Sequence, residues 1–141
     1  MREEVDELEP DPETWRQVYL HMKKDDGLSL RIYLLRPLDW INRHGATPGN
    51  TIFLDLYEMG AVGDAEVTYL GPCPEIQPGT GAVVTGKFTH ESDGTNVVSL
   101  QLEGQVEATG VTDNHPYWSV DRQEFVAAGK LREGELVLNQ A

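Results

Sequence analysis

Apolar and polar residues alternate with period two along most of this chain, and turn-forming residues interrupt the alternation at short intervals. Val18, Leu20 and Met22 alternate with Gln17, Tyr19 and His21; Leu28, Leu30, Ile32 and Leu34 alternate with Ser29, Arg31 and Tyr33. Successive side chains of a strand point to opposite faces, so each run predicts a strand with one buried face. Lys24-Asp25-Asp26-Gly27 has the composition of a tight turn, and a β-hairpin beginning at Trp15 is expected. Arg36-Pro37 ends its second strand. Leu38–His44 is expected to form a short helix, with Pro37 at its start, Gly45 suited to a C-terminal cap, and Trp40 and Ile41 as its anchors.

Beyond the helix, Thr47-Pro48-Gly49-Asn50 reads as a turn. Residues 51–57 read as a strand with Ile52, Leu54 and Leu56 on one face, 58–64 as a loop with glycines at 60 and 63, and 65–70 as a further short strand. A Pro/Gly-rich connection follows through Gly81, taken as an internal loop because strands flank it on both sides. Residues 81–90 and 96–102 predict a second hairpin across 91–95, with Val84 and Phe88 on one face opposite Val98, Leu100 and Leu102. Residues 105–111 predict another strand. The expected fold class is all-β: a compact fold of about eight to ten short strands with one short helix near 38–44, a sandwich or closed barrel and not a βαβ unit.

Composition refines this picture in three ways. With 141 residues and 39% hydrophobic content, one domain over residues 15–141 can bury a core. Residues 1–14 carry seven acids and two prolines, and read as a flexible lead-in. The net charge of −13 argues against nucleic acid or an anionic membrane face as a partner, since both require a basic patch. No apolar run approaches the roughly 20 residues of a membrane span, and the acidic N-terminus is unlike a signal peptide.

The glycines at 60, 63, 79 and 81 lack phosphate-loop spacing, and no G-x-S-x-G is present. Cys73, the single cysteine, excludes an internal disulfide and a multi-cysteine zinc site; between two prolines it reads as a small apolar residue in a rigid loop. None of His21, His44, His90 and His115 stands in H-x-H or H-x-x-x-H spacing. A metal site from His90, His115 and Asp113 or Asp121 is not called for, and neither metal nor cofactor is expected.

Chemistry concentrates in residues 110–138. Thr112-x-x-His115 is followed by Pro116, Tyr117 and Trp118, then by Phe125-Val126-x-Ala128-Gly129-x-Leu131-x-x-Gly134-Glu135-x-Val137. Alone, Thr112-x-x-His115 reads as a turn, with Asp113-Asn114 at its centre. With its surroundings it resembles the Hint (hedgehog/intein) family, and most closely the Hint domains preceding toxin modules in bacterial polymorphic toxins. The resemblance covers about residues 84–138 and is weaker upstream. It implies a Hint-like β-fold and an autoprocessing role in protein splicing or autoproteolysis, within a larger secreted or surface polypeptide. His115 would protonate the leaving amide nitrogen, which near neutral pH suits an imidazole, and Thr112 would hold the scissile amide.

Two departures weigh against activity. No Cys or Ser opens the ordered part as the family's nucleophile, and Asn139 follows Leu138 where the family has a His-Asn pair. The expectation is therefore a truncated or degenerate module, incomplete at its C-terminus, inactive or partial, with Thr112 and His115 vestigial and the rest of a larger polypeptide, or another protein, as partner. A non-catalytic β-sheet interaction module is the alternative, with Tyr117 and Trp118 as contacts if they are exposed and as core if they are not. A hydrolase using His115 with an acid ranks last, for want of a nucleophile.

Overall fold

The alternation in residues 15–37 builds a hairpin of β1 (Trp15–Lys23) and β2 (Ser29–Pro37), in register from Trp15 opposite Pro37 to Lys23 opposite Ser29. In this computed structural model the described residues are 11–23, 29–56, 61–76, 82–90, 97–102, 109–112 (backbone alone) and 115–138. The expected turn at 24–27 lies outside them. Ahead of β1, Asp11 organises a turn: its carbonyl accepts from Thr14 and Trp15 N–H groups, and its side chain from Glu13 N–H.

α1 (Leu38–His44) follows β2 directly. Pro37 supplies an extended N-cap, and Gly45, at φ 64°, takes the left-handed conformation that closes the helix with N–H bonds from Gly45 to Asn42 and from Ala46 to Ile41. Trp40 and Ile41 are buried, as the sequence predicts. β3 (Thr51–Leu56) then pairs with β4 (Ala61–Pro72), which pairs in turn with β1.

β4 corrects two expectations. Residues 61–64 belong to a strand and not to a loop, and 65–70 are its continuation. Ala61 stands buried opposite Leu56, and Gly63 supplies a φ of 138° that side-chain-bearing residues seldom adopt, so its glycine carries the strand through a kink and does not break it. Thr68 is a bulge residue between the pairs Tyr19–Tyr69 and Leu20–Val67, and its hydroxyl donates to the Tyr19 carbonyl at 3.2 Å.

The remaining strands are β5 (Ala82–His90), β6 (Val97–Leu102), β7 (Thr109–Thr112), β8 (Pro116–Ser119), β9 (Glu124–Ala127) and β10 (Leu136–Leu138). With the others they form one antiparallel sheet of ten strands. Its main path runs β3-β4-β1-β2-β5-β10-β8-β9, and β6 and β7 branch from β5. The chain is an all-β fold with a single α-helix among the described residues, as expected from the alternation. No described helix is long and apolar enough to cross a membrane.

β5 serves both halves of the sheet. Residues from Gly86 to His90 pair with β2, whereas Ala82 and Val83 pair with β10. A bulge at Thr85 separates the two parts. It also corrects the expected facing. Val84 and Phe88 are four residues apart and would share a face in a regular strand, but the extra residue sends Phe88 into the core of β1–β4 and α1, and Val84 into a second core with Leu100, Leu102, Tyr117, Val126 and Val137. Leu102 pairs with Val84 as anticipated; Phe88 stands opposite Ser99.

The bulge is braced by a buried charge. Arg36 Nη1 donates to the Leu35 and Thr85 carbonyls (2.9 and 3.2 Å), and Nη2 to Gln101 Oε1 (2.8 Å), with the guanidinium 5.5 Å from the centre of the Trp40 ring. A buried cation needs acceptors, and Arg36 finds them in two backbone carbonyls, one of them at the bulge, and in the Gln101 side chain.

Candidate functional site

Thr112 and His115 stand at adjoining strand ends. Thr112 closes β7, opposite Val97 of β6, and its side chain lies outside what is described, as do residues 113–114. His115 immediately precedes β8. Its carbonyl accepts the Ala128 N–H at 2.8 Å, which continues the β8–β9 ladder by one rung. The His115 ring is exposed and meets Tyr117 edge-on, centroids 5.3 Å apart. Among the described residues no hydrogen bond reaches the imidazole. The ring is open to a group approaching that edge, and no carboxylate among the described residues hydrogen-bonds it.

The two aromatics that follow take different environments. Tyr117 is buried in the second core, and burial raises its phenol above the ordinary value. Trp118 is half-buried and packs edge-on against its cross-strand partner Phe125 (5.1 Å), which is 60% exposed. Leu138, opposite Trp118 on β10, is also exposed. The core reading therefore holds for Tyr117, and Trp118 belongs to an outward apolar row.

Ser119, Arg122 and Glu135 form a buried polar clamp. Glu135 is 2% exposed. Its Oε2 accepts from the Ser119 hydroxyl and lies 2.9 Å from Arg122 Nε; its Oε1 accepts from Arg122 Nη2 (3.0 Å) and Arg132 N–H (3.1 Å). Asp121 Oδ1 accepts the Leu136 N–H. Gly134 sits at φ 86°, and a Cβ there would meet Pro74 Cγ at 2.6 Å, so both its conformation and its packing require glycine. Gly134 and Glu135 bracket Val84 with two backbone bonds, N–H to its carbonyl and carbonyl from its N–H.

The segment from Ala128 to Glu135 thereby lies across the polar face of β1, β2 and β5. Lys87 Nζ donates to the Gly129 and Leu131 carbonyls (both 3.0 Å) and stands over the Tyr33 ring, while burial lowers its pKa. Glu133 is 5% exposed, and its Oε1 is enclosed without a hydrogen-bond partner. Desolvation raises its carboxyl above the ordinary value. Tyr19, pushed up to about 12 by burial and then by the charge of Glu133, stands beside it. Gln17, Pro74, Glu75, Asp121 and residues 132–135 line a cavity of 160 Å³ at this place.

Sequence reasoning read Thr112-x-x-His115 as a turn, whose centre at 113–114 lies outside the described residues, and missed this cavity. Its carboxylates are scattered from Glu75 to Glu135, and Arg-Glu-Gly-Glu at 132–135 reads as a solvated turn. The one available signal was Gly134, because a glycine between two acids hints at a close backbone approach.

The other candidates are placed as follows. Cys73 is half-buried after β4, its thiol donates to the Pro74 carbonyl, and burial pushes it up to about 11, so it remains a thiol near neutrality and a poor nucleophile. His90 ends β5, opposite Leu30 and Val97. Among the described residues no three His, Cys, Asp or Glu side chains converge as metal ligands; Asp113 lies outside them. Comparison with protein-family models, with curated proteins and with solved structures gave no match for this chain.

Proposed function

We propose that the chain is a Hint-type module of a larger polypeptide, retained as a folded β-scaffold that carries the proton-donating half of the autoprocessing chemistry without a working nucleophile among its described residues. The observation that carries this reading is His115: its backbone is pinned to Ala128 at the mouth of β8 while its ring stays exposed, three residues along the chain from Thr112, which closes β7. An imidazole so held can protonate an amide nitrogen presented at that edge, and the family resemblance gives Thr112 the role of holding that amide in place.

The test has two parts. A nuclear Overhauser contact between the Thr112 methyl and the His115 ring protons is expected; its absence overturns the pair as a site. Intact mass after incubation of the full chain with dithiothreitol is expected to stay unchanged. A fragment that forms in the native chain and not in His115→Ala would replace the scaffold reading with an active processing one.

A second reading, a non-catalytic interaction module, is favoured by the outward row of Phe125, Trp118 and Leu138, because β9 ends the main path of the sheet and carries the most exposed of these aromatics. Neither reading requires the other to fail.

A further inference from the structure

The main path of the sheet ends at β9 and at β3, and among the described residues β3 pairs with β4 alone. The phase of that pairing decides what the outer edge of β3 offers. Val67 N–H donates to the Asn50 carbonyl at 2.8 Å, and the register runs unbroken from Thr51 opposite Glu66 to Leu56 opposite Ala61. Antiparallel partners alternate between hydrogen-bonded and non-bonded pairs. Ile52, Leu54 and Leu56 therefore bond to β4, and Thr51, Phe53 and Asp55 turn their N–H and carbonyl groups to the open edge. The side chains of those same three residues stand on the exposed face, while Ile52, Leu54 and Leu56 are buried. Phe53 is 58% exposed, and Val62, opposite Asp55 on β4, is 48% exposed. Asp55, Asp64 and Glu66 surround the two apolar side chains; all three are exposed, and none is held in an ion pair among the described residues. An unpaired row of backbone groups beside exposed apolar side chains is a template for a further strand.

We propose that the β3 edge binds an extended segment of a basic polypeptide, which adds a strand to the sheet and sets a basic, an apolar and a basic side chain at alternate positions on the exposed face. The apolar side chain lies opposite Phe53. One basic side chain lies opposite Asp55; the other lies opposite Thr51 and is long enough to reach Glu66 on the next strand. Charge selects this occupant. Pairing with the same edge of a second copy would bring the carboxylates of Asp55, Asp64 and Glu66 together with their own counterparts, in a chain of net charge −13. The acidic residues 1–10 meet the same objection. A metal ion lacks a ligand set, because among the described residues no three ligating side chains converge. The edge is preformed: six register pairs hold β3 to β4, and Ile52, Leu54 and Leu56 anchor it in the core, so only the incoming segment has to be ordered. This surface lies at the far end of the sheet path from the row of Phe125, Trp118 and Leu138, and it is independent of the role given to His115.

The test titrates acetyl-Ser-Lys-Thr-Val-Thr-Lys-Ser-amide into the full chain at constant ionic strength, following the amide resonances of residues 51–56. Saturable shifts are expected. The peptide with Glu in place of both Lys is expected to bind at least about tenfold more weakly. The rearranged peptide acetyl-Ser-Lys-Lys-Val-Thr-Thr-Ser-amide keeps the charge, loses the alternation, and is expected to bind several-fold more weakly. Phe53→Ser is expected to weaken binding by about fivefold, and Asp55→Asn by a smaller factor. Thr51→Pro removes an edge-facing N–H while sparing the ladder to β4, and is expected to weaken binding where Thr51→Val does not. Phe125→Ser is expected to leave binding unchanged. No saturable shift, an equal response to either control peptide, or undiminished binding by both Phe53→Ser and Asp55→Asn each overturns the proposal. If Thr51→Pro does not fold, the variants at the exposed positions 53 and 55 decide it. Shifts of the same resonances on concentrating the chain alone would assign the edge to a second copy, and so overturn the proposal as well.

Discussion

The two cores that meet at β5 are held together by different means. On the side of β1–β4 and α1, the interior is aliphatic and aromatic, bordered by the buried guanidinium of Arg36, and the strands keep regular pairing apart from the Thr68 bulge and the kink at Gly63. On the side of β8–β10, the strands are three or four residues long, and a carboxylate buried in a ring of donors does much of the joining. Long strands gain enough apolar burial to fix their own register; short ones need directional contacts to do so. The difference teaches that a polar, motif-rich segment can be structural first, with His115 exposed at its edge and Glu133 enclosed beside a cavity.

Substitutions can break this comparison at three strengths. Phe88→Ala empties a fully buried site shared by β5 and the first core and is expected to cost about 3–5 kcal/mol in urea unfolding. A loss under about 1 kcal/mol would mean that the two cores are not joined through this strand. Glu135→Ala removes the centre of the clamp and strands the Ser119 hydroxyl and the Arg132 N–H, whereas Arg122, part-exposed, can turn to water. About 2–3 kcal/mol is expected, with Glu135→Gln recovering part of it. Equal stability of Glu135→Leu and the native chain would show that the clamp adds specificity without net stability.

The smallest expected effect is one of slope. The folded-state carboxyl of Glu133 is raised above its unfolded value, so the native state binds the proton more tightly. Its contribution to stability is therefore unfavourable at neutral pH, and is relieved as the pH falls through the raised folded value toward the ordinary carboxylate range. Urea midpoints measured across that window should rise more, or fall less, for the native chain than for Glu133→Gln; parallel curves would show that the native Glu133 does not titrate there.

Much of the first region was legible in the sequence because its information is local. Alternation at 17–34 gave β1 and β2 their inward faces, and Pro37 with Gly45 bounded α1. What escaped was information carried by distant neighbours. Residues 61–64 look like a loop until β3 lies beside them, and nothing near Thr85 announces a bulge whose carbonyl is satisfied by Arg36, 49 residues away. Glu133 and Glu135 look solvated because charged residues in a Gly-containing turn usually are, and only the folding of that turn over β1, β2 and β5 buries them. The cavity was not legible, because Gln17 and Glu133 are brought together by the tertiary fold alone.

The double burial of β5 also has a consequence before folding is complete. Residues 82–89 read Ala-Val-Val-Thr-Gly-Lys-Phe-Thr, a run rich in strand-forming side chains whose two apolar sides have no cover until β2, β6 and β10 arrive. Lys87 is the single charge in that run. A charge so placed has the character of a gatekeeper, which disfavours stacking of such a segment on its own copies, and in the folded chain its ammonium donates to the carbonyls of Gly129 and Leu131.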